Sequence, residues 1–223
     1  MKQSTQITGL IWDLGGLFIQ VHPENLAIDG SDQGSDFVKM HHLFECGLCS
    51  ASEFERSLRQ TLTHTGSFVS PVQGASDTRS CWNRILGTWN LEDLDQLQGL
   101  RKHYAMVLLS NTNSWHEEAF TASLKEAGGQ SLDHYFDRVV FSHHYRMRKP
   151  NPKLYESAVH GLKTPGGEEI PMESWLFLDD SQENLDGAAS LGLQTCLHPR
   201  NTSPMNTLRD YLAPKGLPGT PGS

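Results

Sequence analysis

The feature that most constrains the fold is a series of short apolar runs, each ending in polar residues. They cover residues 8–12, 105–109, 138–141 and 175–178, with a weaker run at 193–197. Runs without alternation between apolar and polar residues indicate strands buried on both faces, which are typical of a parallel sheet. The chain is therefore predicted to contain a parallel β-sheet.

Helical patterns lie between these runs, over residues 115–124, 151–162 and 184–191. The last of them ends at Gly192, and glycine commonly terminates a helix. Alternation of strand and helix predicts an α/β fold, namely a Rossmann-like parallel sheet core with helices on both faces. Ligands of such sheets bind beyond the carboxyl ends of the strands, so the polar residues there are the candidate site.

A long segment, residues 13–104, separates the first two runs. Residues 37–43 and 50–62 show amphipathic helical patterns, and 94–102 reads as a helix that leads back into the sheet. So long a stretch cannot be a structureless loop in a compact domain. We therefore predict a helical cap at 21–87, inserted into a hydrolase core formed by 1–20 and 88–213. The Pro- and Gly-rich residues 214–223 are predicted to be a flexible tail.

The composition argues against several classes of protein. The chain has 18 Lys and Arg against 26 Asp and Glu, a formal net charge of −8. This balance disfavours a nucleic acid or an anionic membrane as the main partner. Four Cys in 223 residues do not make a disulfide scaffold. Since no segment reads as a signal peptide or a membrane span, we expect a cytoplasmic protein, either a monomer or a homodimer.

The first two runs end in residues suited to binding an anion. Asp13 ends the first run, and Gly15 and Gly16 let the backbone turn sharply and approach a ligand closely. Ser110 and Asn111 end the second run and precede a helix. A hydroxyl and main-chain N–H groups at that position can hold phosphate oxygens.

The later segments supply complementary charges. Lys149 precedes a helix and can act as a point charge toward a phosphate and a nearby carboxylate. Asp179 and Asp180 end the fourth run and, with Asp13, form an oxygen cage that suits Mg²⁺. These are the parts of a phosphoryl-transfer site. Asp13 would be the nucleophile that forms an aspartyl-phosphate, and Ser110 and Lys149 would stabilise the equatorial oxygens.

Four segments in this order resemble the motifs of the haloacid dehalogenase-like superfamily, in its subgroup with a helical cap after the first strand. They are IWDLGGL at 11–17, LLSNTN at 108–113, MRKP at 147–150 and FLDDSQEN at 177–184. The last segment continues to Gly192. In the cap, FECGL at 44–48 followed by Phe54 resembles bacterial sugar-phosphate phosphatases of the α-D-glucose-1-phosphate phosphatase type.

The resemblance implies a Mg²⁺-dependent phosphatase that hydrolyses a small phosphate monoester, such as a sugar phosphate. It implies that Asp13, the main-chain carbonyl of Gly15 and Asp180 hold Mg²⁺, with Asp179 as an additional or indirect ligand. The implied partner is a small phosphorylated metabolite. The cap would close over the site, exclude water and supply most of the specificity.

One position departs from the pattern of the superfamily. Most of its phosphatases have an Asp two residues after the nucleophile, which protonates the leaving alcohol, whereas this chain has Gly15 there. The glucose-1-phosphate phosphatase-like subgroup also has Gly at this position. The general acid, a group typically worth about 10²–10⁴-fold in rate, is thus unassigned. His22 is a hypothetical substitute.

Two other functions stay open at this point. A 2-haloacid dehalogenase of the same superfamily would use Asp13 to displace halide without a metal. The second alternative is a weakly active or silent relative that binds a phosphometabolite, because Gly15 replaces the usual acid.

Two further groups of residues have ambiguous roles. Cys46 and Cys49 form a single C-x-x-C, which lacks the second ligand pair of a convincing zinc site. His143 and His144 follow the third run, near the predicted active edge, and either contact substrate or face solvent.

Overall fold

A computed structural model of the chain describes residues 6–26, 36–64, 75–200 and 202–213. Its strands are β1 (Gly9–Trp12), β2 (Ile19–Val21), β3 (Leu86–Trp89), β4 (Ala105–Ser110), β5 (Arg138–Phe141), β6 (Trp175–Asp179) and β7 (Gln194–Leu197). Five of them form one parallel sheet in the order β5-β4-β1-β6-β7. The predicted α/β architecture is confirmed.

Helices connect these strands. They are α1 (Asp36–Glu45), α2 (Ala51–His64), α3 (Ala75–Asn83), α4 (Leu91–Leu100), α5 (Ser114–Glu126), α6 (Leu132–Tyr135), α7 (Ser142–Tyr145), α8 (Pro152–Val159), α9 (Gln182–Ala189) and α10 (Pro204–Leu212). Short 3-10 helices cover Pro23–Leu26 and Met172–Ser174. Among the helices so described, none combines the length and the apolar character that a membrane crossing requires.

The central strand β1 lies between β4 and β6, with Trp12 beside Leu108 and Leu178. Every residue of these three strands is buried. Alternate residues of β1 pack into different clusters, because Trp12 contributes to one face of the sheet and Ile11 to the other. Burial of both faces explains why the strands read as uninterrupted apolar runs.

The strands β1 and β4–β7 coincide with the five predicted runs to within one or two residues. Ser110 and Asp179 are the last residues of their strands rather than the first residues after them. The sequence pattern did not reveal the antiparallel pair formed by β2 and β3, because these strands have only three and four residues. It also missed α3 and α10.

Three helices, α1–α3, lie along the chain between β2 and β3. The predicted helices at 37–43 and 50–62 are confirmed as α1 and α2. Phe44 and Phe54 stack with ring centroids 4.4 Å apart, and Trp82 meets Phe54 edge-on. Trp115 of α5 joins this cluster, so the three helices rest on the start of α5. The domain boundaries at 20/21 and 87/88 stay a prediction, and the predicted tail at 214–223 lies outside the described residues.

Candidate active site

The carboxyl ends of β1, β4 and β6 border a cavity of about 850 Å³. Seven of the eight predicted site residues line it: Asp13, Gly15, Gly16, Ser110, Asn111, Lys149 and Asp180. The eighth, Asp179, is fully buried behind Lys149. Residues more than 160 positions apart thus meet at one edge, because the strands are parallel and adjacent.

Asp13 follows β1, and its main-chain N–H donates to the carbonyl of Leu178. Its Oδ1 accepts from the N–H of Leu14 at 2.8 Å and lies 2.8 Å from Nζ of Lys149. The other oxygen, Oδ2, has no hydrogen bond from any residue of the described ranges. The carboxylate is therefore held by one oxygen, and the second remains available for a ligand.

Burial is the main influence on the ionisation of Asp13 and raises the pKa of this carboxyl to about 7. Lys149 opposes the shift, whereas the carboxylates of Asp179 and Asp180 add to it. A cation bound beside Asp13 would favour the ionised form, which is the form that acts as a nucleophile or a ligand.

Lys149 is 1% exposed, and its ammonium contacts three acceptors. These are Oδ1 of Asp13, Oδ2 of Asp179 at 2.6 Å and the carbonyl of Leu109 at 3.0 Å. Burial disfavours the charge, but the two carboxylates hold the pKa of Lys149 above its ordinary value. The ammonium is thus a fixed positive charge at the cavity, and its three donors are already used.

Asn111 fixes the main chain of Lys149. Its Oδ1 accepts from the N–H of Lys149 at 2.8 Å, and its Nδ2 donates to the carbonyl of Lys149 at 3.1 Å. The predicted phosphate contact from Asn111 would consequently come from its main chain. The Ser110 side chain lines the same cavity, and its hydroxyl has no partner in the described part of the chain.

Both oxygens of Asp179 are occupied. Oδ1 accepts from the N–H of Ser181 at 2.8 Å and from Nδ2 of Asn184 at 3.0 Å, while Oδ2 binds Lys149. These contacts make Asp179 the residue that positions Lys149. Its predicted role as a direct metal ligand would require it to release one of them.

Asp180 faces the cavity and is partly exposed. Burial and the neighbouring Asp179 raise the pKa of Asp180, and Arg200, whose Nε lies 3.6 Å from Oδ2, opposes them. Gly16 has a φ of 77°, and a Cβ there would lie 2.8 Å from Oδ2 of Asp180. Only glycine allows the turn after β1 to come this close to the carboxylate.

The carboxylates can accommodate a hard cation. Ligand oxygens of Asp13, Asp179 and Asp180 all lie within 4.8 Å of one another. Three carboxylates against two cations, the buried ammonium of Lys149 and the exposed guanidinium of Arg200, leave excess negative charge at this edge. An all-oxygen donor set of this kind suits Mg²⁺.

The sequence did not reveal the rest of the cavity wall. Polar side chains from β2, from β3 and the residue after it, and from the segment after β7 line it: Gln20, Thr88, Asn90, Arg200, Thr202 and Ser203. No described residue of α1–α3 is among the lining residues. The strands β2 and β3 and the segment after β7 carry no sequence motif, so only the fold brings these side chains to the site.

Histidines near the site differ in position. His22 lines the cavity, and its Nδ1 lies 3.1 Å from Oε1 of Glu24. His143 and His144 are not among the lining residues and instead contact Glu117 of α5.

Comparison with known proteins indicates which enzymes have a similar sequence and fold. No family model matches the chain. The chain is 26% identical over 205 residues to D-ribitol-5-phosphate phosphatase of Bacteroides thetaiotaomicron, covering 87% of this chain and 93% of that protein. A crystal structure of a HAD family enzyme from the same species has a TM-score of 0.71 at 26% identity, covering 92% of this chain and all of that chain. A magnesium complex of that enzyme gives a TM-score of 0.73 at 25% identity, with the same coverage.

More distant neighbours share the fold. The L-2-haloacid dehalogenase of Xanthobacter autotrophicus has a TM-score of 0.54 at 20% identity, covering 96% of this chain and 84% of that chain. The glucose-1-phosphate phosphatase subgroup stays a prediction. The curated relative and the HAD family enzyme structure match along nearly their whole lengths. In sequence and in fold, the chain is thus similar along nearly its whole length to hydrolases of the haloacid dehalogenase-like (HAD) family.

Proposed function

We propose that this hydrolase is a Mg²⁺-dependent phosphatase that cleaves a small polyhydroxylated phosphate monoester through an aspartyl-phosphate at Asp13. The observation that carries the proposal is the state of that carboxylate. Lys149 and the N–H of Leu14 hold Oδ1, whereas Oδ2 has no partner within the described ranges, and Asp13 lines the cavity. A fixed carboxylate with one available oxygen is what covalent catalysis by Asp requires.

The reaction would proceed in two displacements. In the first, Oδ2 of Asp13 attacks phosphorus, the bond between phosphorus and the ester oxygen breaks, and the alcohol leaves with a proton. In the second, water attacks phosphorus and the bond to Asp13 breaks, which releases inorganic phosphate and restores the carboxylate. Ser110 would donate to an equatorial phosphate oxygen, and the charge of Lys149 would stabilise the negative charge of the transferred group.

Mg²⁺ would be held by Asp13, Asp180 and the carbonyl of Gly15, and it would neutralise charge on the phosphate. The carboxylate cluster of this chain and its excess negative charge support that assignment. They also weigh against a metal-free dehalogenase, because the charges of two further carboxylates beside Asp13 exceed what Lys149 can compensate, and a further cation would reduce the repulsion.

His22 is the proposed source of the proton that the leaving alcohol takes up. Gly15 has no side chain, and His22 lines the cavity with its Nδ1 next to Glu24. This contact orients the ring as a carboxylate orients a catalytic imidazole.

The chemistry of the wall favours a substrate rich in hydroxyl groups. Gln20, Thr88, Thr202 and Ser203 offer amide and hydroxyl groups around a cavity that also contains the site for the phosphate. The similarity to a phosphatase of D-ribitol 5-phosphate supports a sugar or sugar alcohol phosphate.

The test is hydrolysis of p-nitrophenyl phosphate and of a panel of sugar and sugar alcohol phosphates, with Mg²⁺ and with EDTA. Metal-dependent release of phosphate from both kinds of ester is the expected result. Asp210→Asn, at an exposed carboxylate that does not line the cavity, serves as a matched control for Asp13→Asn. Metal-independent release of halide from a 2-haloacid would establish the dehalogenase instead. Binding of phosphate esters without turnover would establish the silent relative.

A further inference from the structure

A second group of metal-ligating side chains lies outside the cavity. Glu117 in the first turn of α5 and His143 and His144 of α7 have ligand atoms within 4.8 Å of one another. The Nε2 atoms of His143 and His144 lie 2.8 Å and 3.1 Å from the same oxygen, Oε2 of Glu117. We propose that these three residues form a binding site for a divalent transition metal of the Zn²⁺ type.

The distances match what a small cation requires. Bonds of about 2.0–2.1 Å from zinc to histidine nitrogen and carboxylate oxygen place neighbouring ligand atoms about 3.3 Å apart in a tetrahedron. The two N–O separations of 2.8 and 3.1 Å are close to that edge, so an ion can enter with small side-chain shifts. Two imidazoles and one carboxylate form a three-ligand set that leaves a position for water.

The surrounding structure holds the ligands in place. The side chain of His143 is 8% exposed, and the ring of Phe141 stacks on it with an interplanar angle of 11°. The main chain of Thr112 lies beside the same imidazole. Nδ1 of His143 is buried and has no hydrogen-bond partner within the described residues. A metal on Nε2 would place the proton of the ring on Nδ1, where this main chain can orient it.

The side chains also leave an entry path. His144 has 52% and Glu117 has 29% of the side chain exposed, so solvent reaches these two ligands. The donor set differs from that of the cavity, where three carboxylates favour Mg²⁺. Nitrogen donors favour zinc and related ions over Mg²⁺, so the two sites should select different metals.

The position gives the site a structural consequence. Ser142, adjacent to His143, donates to the carbonyl of Glu45 at the end of α1. Gly47 follows α1 with a φ of 60°, and a Cβ there would lie 2.5 Å from the carbonyl of His143. A metal that joins α5 to α7 would therefore stabilise the surface on which α1 rests.

The test is a titration of the full chain with Co²⁺ and Zn²⁺ in excess Mg²⁺, in the wild type and in Asp180→Asn, which weakens the carboxylate cluster. Both proteins should bind one Co²⁺ with the visible absorption of a tetrahedral ion, and Zn²⁺ should displace it and raise the melting temperature. His144→Ala and Glu117→Gln should each lower the affinity by about 100-fold or more. His103→Ala, at another exposed histidine, should not change it.

Absence of the cobalt spectrum in the wild type would overturn the proposal, and so would binding that His144→Ala and Glu117→Gln leave unchanged. Circular dichroism of the variants shows whether they are folded. Because metal affinity is read without turnover, failure of this site and failure of the proposed phosphatase activity are distinguishable.

Discussion

The two ligand clusters of this protein differ in how their charges are compensated. Asp13 and Asp179 share the ammonium of Lys149, Asp180 lies beside Arg200, and the three carboxylates outnumber these two cations. In the second cluster, a single carboxylate, that of Glu117, lies beside two imidazoles. The first cluster borders a large cavity and the second reaches solvent directly. The comparison indicates that excess negative charge beside a cavity marks the site of chemistry, whereas a single carboxylate that two imidazoles contact at the surface carries no such excess.

The largest expected effect comes from removing the nucleophile of the first cluster. Asp13→Asn keeps an oxygen that can accept from Leu14 and Lys149 but does not form an acyl phosphate, so turnover should fall by about 10⁴-fold or more. The measurement is steady-state hydrolysis of p-nitrophenyl phosphate, with circular dichroism to show that the fold persists. Asp210→Asn should retain wild-type turnover. Comparable turnover in Asp13→Asn would contradict covalent catalysis.

Removal of the central charge should destabilise the first cluster most. Lys149→Met leaves Asp13 and Asp179 buried without their counter-ion, and loss of one partner of a buried pair costs about 3–5 kcal/mol. Urea denaturation of metal-free protein measures the change in the free energy of unfolding, with Lys102→Met at an exposed position as the control. A loss equal to that of the control would show that Lys149 does not stabilise the cluster.

An acid placed at Gly15 should act as a second proton donor beside His22. Apart from the two chain neighbours of Gly15, the one atom of the described residues within 4 Å of a Cβ there is Cγ2 of Val21, at 3.1 Å, so a side chain fits after a small shift. Gly15→Asp should raise the rate on alkyl phosphates by about 10²-fold and change the rate on the nitrophenyl ester little. The measurement is the ratio of the two rates.

The controls for this prediction separate size from acidity and test His22. Gly15→Asn has a side chain of similar size without an acid and should not raise the rate on alkyl phosphates. His22→Ala should lower the rate on an alkyl phosphate, and an unchanged rate would exclude His22 as the acid. Equal rates in Gly15→Asp and Gly15→Asn would show that an acid at this position does not help.

The smallest effect expected is a pH dependence of stability. The folded protein raises the pKa of Asp13 from 3.8 to about 7, so it binds this proton more tightly than the unfolded chain does. The contribution of Asp13 to the free energy of unfolding therefore falls as the pH rises from about 4 to 7 and is constant above that. Metal-free Asp13→Asn should gain melting temperature over the wild type across this interval.

Mg²⁺ provides the control for that measurement. It should stabilise the wild type more at pH 8 than at pH 5, because it compensates the ionised carboxylate. A difference between the wild type and Asp13→Asn that does not vary with pH would contradict the raised pKa.

The sequence predicts the parts of the molecule that local patterns encode. Buried strands such as β1 and β4 read as apolar runs, and motif residues such as Asp13 and Lys149 follow or precede regular elements. It could not be predicted that Asp13 and Asp179 share the ammonium of Lys149, because spacing along the chain does not reveal which side chain pairs with a carboxylate. The cavity wall and the Glu117 cluster depend on contacts between segments that are far apart in the sequence, and local sequence patterns do not predict such contacts.

The most direct test of the central claim is detection of the phosphorylated carboxylate. Wild-type protein turning over p-nitrophenyl phosphate with Mg²⁺ is quenched in acid, digested and analysed by mass spectrometry. We expect one added phosphoryl group on the peptide that contains Asp13, absent with EDTA and in Asp13→Asn. Metal-dependent turnover by the wild type with phosphate on a different residue, or undiminished turnover in Asp13→Asn, would contradict it.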